Sequence, residues 1–226
     1  MKKFDCIENM IGRTPLLEIY LTYKGEPRKI YAKAEYLNLT GSIKDRVAFH
    51  IMKKAYSTGM LKAGDIVAEA TSGNTGIAFS AMSSYLGHKA VIFMPDWMSR
   101  ERINLMKSFG AEVRLVSREE GGFLGSIKMT EELAAKGGVF LPEQFSNEDN
   151  CEAHFLSTGE EIVRQLASIG QKADAFVAGV GTGGTVMGVG RRLRQENPAC
   201  RIYPLEPLNY PTLATGLSLR HNTEPT

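Results

Sequence analysis

Two short glycine-rich segments, each lying between an apolar run and a helical pattern, constrain the fold of this chain most strongly. Residues 71–76 follow the apolar run 66–70, and residues 181–185 follow the apolar run 175–178. A strand, a glycine turn and a helix start are typical of parallel α/β proteins, whose ligands bind beyond the carboxyl ends of the strands. Backbone N–H groups and hydroxyls in such turns are suited to anions. The sequence therefore predicts two anion-binding loops on an α/β fold.

The rest of the chain alternates between strand-like and helical patterns. The strand patterns predict strands at 30–36, 66–70, 90–94, 112–116, 139–141, 175–179 and 202–206. The helical patterns predict helices at 44–58, 75–86, 100–109, 124–136, 155–168 and 184–196. This alternation indicates βαβ units around parallel sheets covered by helices.

One lysine stands in an unusual place. Thr40, Gly41 and Ser42 are turn and N-cap residues, and helical spacing follows them, so Lys44 is predicted in the first turn of a helix. The helix macrodipole disfavours a cation there, which lowers the pKa of the lysine and makes a neutral, nucleophilic amine easier to reach. The alternative is an ordinary exposed lysine. The neighbouring Asp45 and Arg46 are expected to form a solvated or helix-pairing ion pair without a catalytic role.

Composition excludes several classes of protein. The chain has 226 residues, of which 43% are hydrophobic, and a net charge of +2 with basic residues spread along it. We therefore expect a globular protein without a nucleic-acid or membrane partner, since no segment reaches the roughly 18 apolar residues of a membrane span. Cys6, Cys151 and Cys200 form no C-x-x-C pattern, which argues against a disulfide framework or a zinc site. Free thiols in a reducing cytoplasm are expected, and no metal.

Three segments in a fixed order carry a family resemblance. Residues 38–46 read Asn-Leu-Thr-Gly-Ser-Ile-Lys-Asp-Arg, residues 71–76 read Thr-Ser-Gly-Asn-Thr-Gly, and residues 181–185 read Gly-Thr-Gly-Gly-Thr. Together they resemble the cysteine synthase (O-acetylserine sulfhydrylase) and cystathionine β-synthase group of fold type II pyridoxal-phosphate enzymes. The resemblance extends from residue 11 to about residue 207, and Leu39 stands where the family usually has proline.

The resemblance implies a cofactor and a set of site residues. Pyridoxal 5′-phosphate is expected to be bound covalently to Lys44, with its ring oxygen on Asn74. The residues expected to hold its phosphate are Gly181, Thr182, Gly183, Gly184 and Thr185. Those expected to bind the carboxylate of the amino-acid substrate are Thr71, Ser72, Gly73, Asn74, Thr75 and Gln144.

The implied reaction is β-replacement or elimination on an activated serine, such as cysteine synthesis from O-acetylserine and sulfide. Cystathionine synthesis and cysteine breakdown with release of sulfide stay open, because the sequence does not identify the sulfur nucleophile. Serine and threonine dehydratases of the same fold type generally have histidine after the asparagine of the second segment. Thr75 stands there in this chain, which favours β-replacement.

The resemblance also implies an architecture. It is a fold like that of the tryptophan synthase β chain, with two αβα domains built on parallel sheets, and a homodimer. The expected domains are a small, mobile one at 41–147 and a larger, phosphate-binding one formed by 1–40 and 148–226. Beyond Pro207 the chain is polar and unpatterned and departs from the family near Gly216, so the larger domain is expected to be incomplete and the activity impaired. A non-catalytic binder of the cofactor or of a partner protein is the corresponding alternative.

A nicotinamide enzyme is a further alternative. Residues 179–184 also match G-x-G-x-x-G, and the next predicted strand ends in Glu206, as in dinucleotide-binding folds. Against this, the motif lies late in the chain and leaves Lys44 and Asn74 without a function. The chain has four histidines, and each is expected to be a surface or core residue: His50, His88, His154 and His221.

Overall fold

The computed structural model describes residues 2–206, which form eight strands and eight α-helices. The strands are β1 Leu16–Tyr23, β2 Glu26–Lys33, β3 Ile66–Ala70, β4 Ala90–Pro95, β5 Glu112–Val116, β6 Val139–Phe140, β7 Ala175–Gly179 and β8 Arg201–Leu205. The helices are α1 Lys2–Ile7, α2 Lys44–Thr58, α3 Asn74–Leu86, α4 Arg100–Ser108, α5 Gly122–Ala134, α6 Asp149–Ala153, α7 Glu160–Ala167 and α8 Gly184–Glu196. The departure near Gly216 lies outside these residues.

The first sheet is parallel and has the strand order β5-β4-β3-β6. Its central strands are apolar on both faces because helices cover both: α2 and α3 pack on one side and α5 on the other. Met82 and Met106 are fully buried there, as their helical spacing predicts. Residues 71–76 follow the carboxyl end of β3 and lead directly into α3.

The second sheet consists of the parallel pair β7 and β8. One face of β7 packs on α7 and α8 through a small apolar cluster that includes Ile162, Leu166, Val189 and Leu193. The other face of this sheet is open, and Val177 is 53% exposed. Residues 181–185 follow the carboxyl end of β7 and begin α8.

Strands β1 and β2 form an antiparallel hairpin that the sequence reading did not anticipate. Lys24 and Gly25 make its two-residue turn with φ of 51° and 82°, the left-handed backbone that such tight turns require. The turn near Lys24 is therefore confirmed. The predicted strand 30–36 is shifted, because β2 ends at Lys33 and a short 3₁₀ turn, Glu35–Leu37, follows it.

The other predicted elements are confirmed within two residues at nearly every end. The exception is the helix predicted at 155–168, which begins earlier as α6, continues through the π-helical turn His154–Gly159 and ends in α7. The Asn147 side chain accepts a hydrogen bond from the Asp149 amide at 2.9 Å, so the early start is capped by a polar residue. The domain boundary at 147 stays a prediction.

Candidate active site

Lys44 is the first residue of α2. Its amide donates to the Ser42 hydroxyl at 3.2 Å, so the Ser42 side chain caps this helix start. Within residues 2–206, no acceptor or carboxylate lies within bonding distance of the Lys44 amine. Burial lowers the pKa of Lys44 to about 8, although the Glu69 carboxyl partly opposes this effect. The lysine is therefore an accessible base near neutral pH.

The two residues after Lys44 are buried, so the predicted solvated pair is wrong. Asp45 accepts hydrogen bonds from the amide and hydroxyl of Thr40, at 2.7 and 2.6 Å. Arg46 forms ion pairs with Glu35 and Glu161, both at 2.7 Å, and its side chain is 1% exposed. Buried charges need such partners because desolvation otherwise disfavours them. These bonds fix the turn and the helix start that present Lys44.

The loop 71–76 divides into open and closed side chains. Ser72 and Asn74 are exposed, and neither side chain has a hydrogen-bond partner among the described residues. Thr71 is buried and accepts a hydrogen bond from the Gly73 amide at 3.1 Å. Thr75 is buried and donates to the side-chain oxygen of Gln144 at 2.6 Å. The loop thus presents Ser72 and Asn74 outward and uses its threonines internally.

Gln144 is a hub of hydrogen bonds. Besides accepting from Thr75, its side chain donates to the Ala70 carbonyl at 2.9 Å, and its backbone amide donates to Glu69 at 3.2 Å. Glu143, just before it, has φ of 54°, a left-handed backbone that is uncommon for a residue with a side chain. The structure therefore shows Gln144 holding the loop 71–76, while its predicted direct contact with substrate stays a prediction.

The loop 181–185 has the form of an anion cradle. Met187 makes the first hydrogen bond of α8, to the Gly183 carbonyl at 3.0 Å, so the amides before it have no intrahelical partner. Gly183 has φ of 90°, which favours glycine. A Cβ on Gly181 would meet nothing within 4 Å, so open space lies beside the loop. These features fit a phosphate group at the positive end of a 13-residue helix.

His154 belongs to this site, although the sequence reading treated it as a core or surface residue. It is fully buried, with Nε2 3.2 Å from the Thr185 hydroxyl and Nδ1 2.9 Å from the Thr158 hydroxyl. Burial and the nearby cations Lys44 and Arg46 lower the pKa of His154 well below its usual range. It is therefore neutral and orients Thr185. Its only local signal was Thr158, four residues on.

Electrostatic neighbours place Lys44 between the two loops. Lys44 acts on Glu69, which lies just before the loop 71–76, and on His154, which contacts Thr185 in the other loop. Burial raises the pKa of Glu69 to about 8, against two backbone N–H bonds and the charge of Lys44. The amine, the open side chains of 71–76 and the cradle 181–185 thus belong to one site. Its donors fit pyridoxal phosphate: an amine for the aldehyde and free amides for the phosphate.

Other site types find less support in the described part of the chain. It holds no cluster of three metal-ligating side chains and no helix that is long and apolar enough to cross a membrane. Glu206 does follow β8, beside the strand that precedes the glycine loop, as the dinucleotide alternative requires. That alternative, however, gives no role to the free amine of Lys44.

Comparisons with known proteins decide between these alternatives. The profile of the family described as pyridoxal-phosphate dependent enzyme matches residues 7–226. A cysteine synthase of Staphylococcus aureus is 43% identical over 215 residues, which are 95% of this chain and 68% of the relative. A probable cysteine synthase of Bacillus subtilis is 41% identical over 209 residues, 92% of this chain and 67% of the relative.

Solved structures agree with this assignment. A hydrogen sulfide-producing enzyme from Fusobacterium nucleatum is 57% identical with a TM-score of 0.91, and the match covers 95% of this chain and 64% of that one. A cysteine synthase from Entamoeba histolytica is 38% identical with a TM-score of 0.79, over 89% of this chain and 60% of that one. The chain thus spans about two thirds of the length of these relatives. With the family profile matching nearly all of it, the chain belongs to the pyridoxal-phosphate dependent enzyme family.

Proposed function

We propose that the site performs β-replacement or elimination on an activated serine, and that it makes cysteine from O-acetylserine and sulfide. The observation that carries this proposal is the position of Lys44, an unpaired amine with a pKa of about 8 that interacts with Glu69 beside one loop and His154 beside the other. The cysteine synthases of Staphylococcus aureus and Bacillus subtilis among the relatives support it.

The cofactor pyridoxal phosphate would be held by Lys44, by Asn74 and by the loop 181–185. The free amides at the start of α8 suit its phosphate, and the exposed amide of Asn74 suits its ring oxygen. When bound, the cofactor supplies an electron sink for the electron pair released at the α-carbon of an amino acid. The protein supplies binding, orientation and proton transfer.

The substrate carboxylate is assigned to the loop 71–76. Its exposed Ser72 and the free amides at the start of α3 offer donors to an anion, while Thr75 and Gln144 hold the loop in shape. The Lys44 amine, neutral near its pKa of about 8, takes the α-proton of the substrate and returns a proton later. Acetate then leaves from the β-carbon, and sulfide takes its place.

A second candidate function is release of sulfide from cysteine. It is favoured by the hydrogen sulfide-producing enzyme of Fusobacterium nucleatum, which is 57% identical, against 43% for the cysteine synthase of Staphylococcus aureus. Both reactions break a bond at the β-carbon after removal of the α-proton. The same Lys44 therefore serves both, and the rates with each substrate distinguish them.

The experiment measures both reactions with the purified protein and added pyridoxal phosphate. O-acetylserine with sulfide is expected to give cysteine faster than cysteine alone gives sulfide; the reverse order supports the second candidate. Lys44→Ala should lower kcat by roughly 10²–10⁴-fold, the usual contribution of a positioned acid–base group. Lys107→Ala, on the exposed end of α4, is the control and should keep full turnover. Unchanged turnover in Lys44→Ala would exclude the proposed mechanism.

Closure and assembly complete the proposal. The block 41–147 moves against the remainder when the loop 71–76 takes up a substrate carboxylate, which excludes water from the reaction. The protein works as a homodimer in the cytoplasm, where a reducing environment keeps the buried thiols of Cys151 and Cys200 free. Light scattering after size-exclusion chromatography tests the assembly, and a monomeric mass would contradict it.

A further inference from the structure

The two loops of the site are joined by a continuous chain of buried hydrogen bonds that neither loop motif contains. Thr75 donates to Gln144, and the Gln144 carbonyl accepts a hydrogen bond from the Asn150 side chain at 2.9 Å. The same Asn150 nitrogen donates its second hydrogen to the Thr182 hydroxyl at 2.8 Å. We call these four residues the inter-loop bridge. It runs from the substrate loop 71–76 to the cofactor loop 181–185.

Asn150 is the centre of the bridge, and its orientation is fixed. It is completely buried, and the Gln144 carbonyl can only accept hydrogen bonds, so the amide nitrogen must point toward it. The Asn150 oxygen is left buried without a partner among the described residues. Burying an acceptor in this way is unfavourable, which identifies the two donated bonds as the reason for an amide at this position.

The surroundings of the bridge keep it in one geometry. The amides of Ser146 and Asn147 donate to the Glu143 carbonyl, at 3.0 and 2.9 Å, and close a turn just after Gln144. The Asn147 side chain donates to the Pro142 carbonyl at 3.0 Å. A Cβ on Gly184 would lie 2.1 Å from the Asn150 oxygen, so the amide is packed directly against the start of α8. A displacement at one loop therefore changes the other.

We propose that Asn150 is a positioning residue that couples the two loops, so that binding of a phosphate group at 181–185 orders the carboxylate-binding loop 71–76. This inference rests on the proposed function only for the identity of the ligands. The bridge itself involves only residues of this chain. Two sites that share an ordered element bind their ligands cooperatively, typically by factors of 5 to about 150.

Hydrogen exchange at two amides reports on the bridge. The Ile77 amide donates to the Gly73 carbonyl and the Met187 amide donates to the Gly183 carbonyl, so each closes one loop. Exchange is followed in peptides covering 73–78 and 183–188, first without and then with saturating pyridoxal phosphate. The variants are Asn150→Asp, which loses both donors, and the milder Thr182→Val, which loses one acceptor. Asn147→Asp, in the same turn but outside the bridge, is the control.

In the cofactor-free protein, Asn150→Asp should speed exchange in both peptides by roughly fivefold, the usual weight of one such hydrogen bond. With saturating cofactor, peptide 183–188 should be protected in every variant. Peptide 73–78 should be protected fully only in the wild type and in Asn147→Asp. Thr182→Val should behave as Asn150→Asp does, which keeps the test available if the buried substitution does not fold.

Full protection of 73–78 in both Asn150→Asp and Thr182→Val at saturating cofactor would overturn the coupling. Failure of the wild type to bind pyridoxal phosphate would instead contradict the proposed function. The bridge would then be judged on the cofactor-free protein alone, where equal exchange in the wild type and in both bridge variants overturns it.

Discussion

The two ligand loops have the same local design but are held in different ways. The loop 71–76 follows β3, which lies between two other strands and is buried along nearly its whole length. The loop 181–185 follows β7, which has one neighbouring strand and one open face. The first loop is therefore positioned by apolar packing. The second depends more on polar bonds to the rest of the chain.

The polar bonds across the chain are correspondingly buried and specific. Arg46 on α2 pairs with Glu161 on α7, and Lys33 on β2 reaches the same carboxylate at 2.6 Å. These ion pairs and their hydrogen bonds lower the pKa of Glu161 to about 2, despite its burial. Asn150 adds the bridge between the loops themselves. Removing such links should affect the second region before the first.

The largest expected effect follows from Arg46→Met. This change leaves the carboxylates of Glu35 and Glu161 buried without their guanidinium partner, which typically costs about 3–5 kcal/mol of unfolding free energy. Urea denaturation measures it. The control is Arg164→Ala, which breaks an exposed pair on the same helix as Glu161 and should change stability by no more than about 1 kcal/mol. Equal losses in the two variants would contradict the difference between the regions.

Three glycines sharpen the comparison at the next scale of energy. A Cβ on Gly184 meets Asn150 at 2.1 Å, and one on Gly76 meets Thr71 at 2.6 Å, so alanine at either position should cost about 1–3 kcal/mol. Gly181 faces open space, so Gly181→Ala should leave the unfolding free energy unchanged. It should still weaken binding of pyridoxal phosphate, because the added methyl group occupies the cradle.

Thermal unfolding and cofactor titration of the three alanine variants provide the measurement. A Gly181→Ala protein that is as unstable as Gly184→Ala would contradict the open cradle. One that binds the cofactor as tightly as the wild type would show that the phosphate lies elsewhere.

The smallest expected effect concerns pH in the cofactor-free protein. Burial raises the pKa of Glu69 from 4.5 to about 8, so the folded protein retains a proton that the unfolded chain releases in this window. Stability should therefore fall as pH rises from about 4.5 to 8, by at most about 1.4 kcal/mol per pH unit. The lowered pKa of Lys44, about 8 against 10.5, acts in the opposite direction, and stability should recover above pH 8.

Glu69→Gln tests this pH dependence. It removes the titrating carboxyl beside the loop 71–76, so the fall in stability between pH 4.5 and 8 should flatten. Glu131→Gln on the exposed face of α5 is the matched control and should keep the slope of the wild type. Urea midpoints at several pH values measure both variants. An unchanged slope in Glu69→Gln would show that Glu69 ionises normally.

The sequence predicted most of the fold because its information is local. Strands, glycine turns and helix starts are encoded by neighbouring residues, and the segments around residues 44, 74 and 183 lie where their patterns place them. Partners far apart in the chain could not be found in this way. Arg46 and Glu161 are 115 residues apart, and Asn150 reaches Thr182 over 32. Burial of charge and amide depends on packing that no local pattern carries, as the error at Asp45 and Arg46 illustrates.

The covalent state of Lys44 tests the central claim most directly. The purified protein is incubated with pyridoxal phosphate, reduced with borohydride and digested, and the modified peptide is identified by mass spectrometry. A single stoichiometric adduct on Lys44, absent from Lys44→Ala, is the expected result. Modification spread over exposed lysines such as Lys107, or no adduct at all, would contradict the assignment of this site.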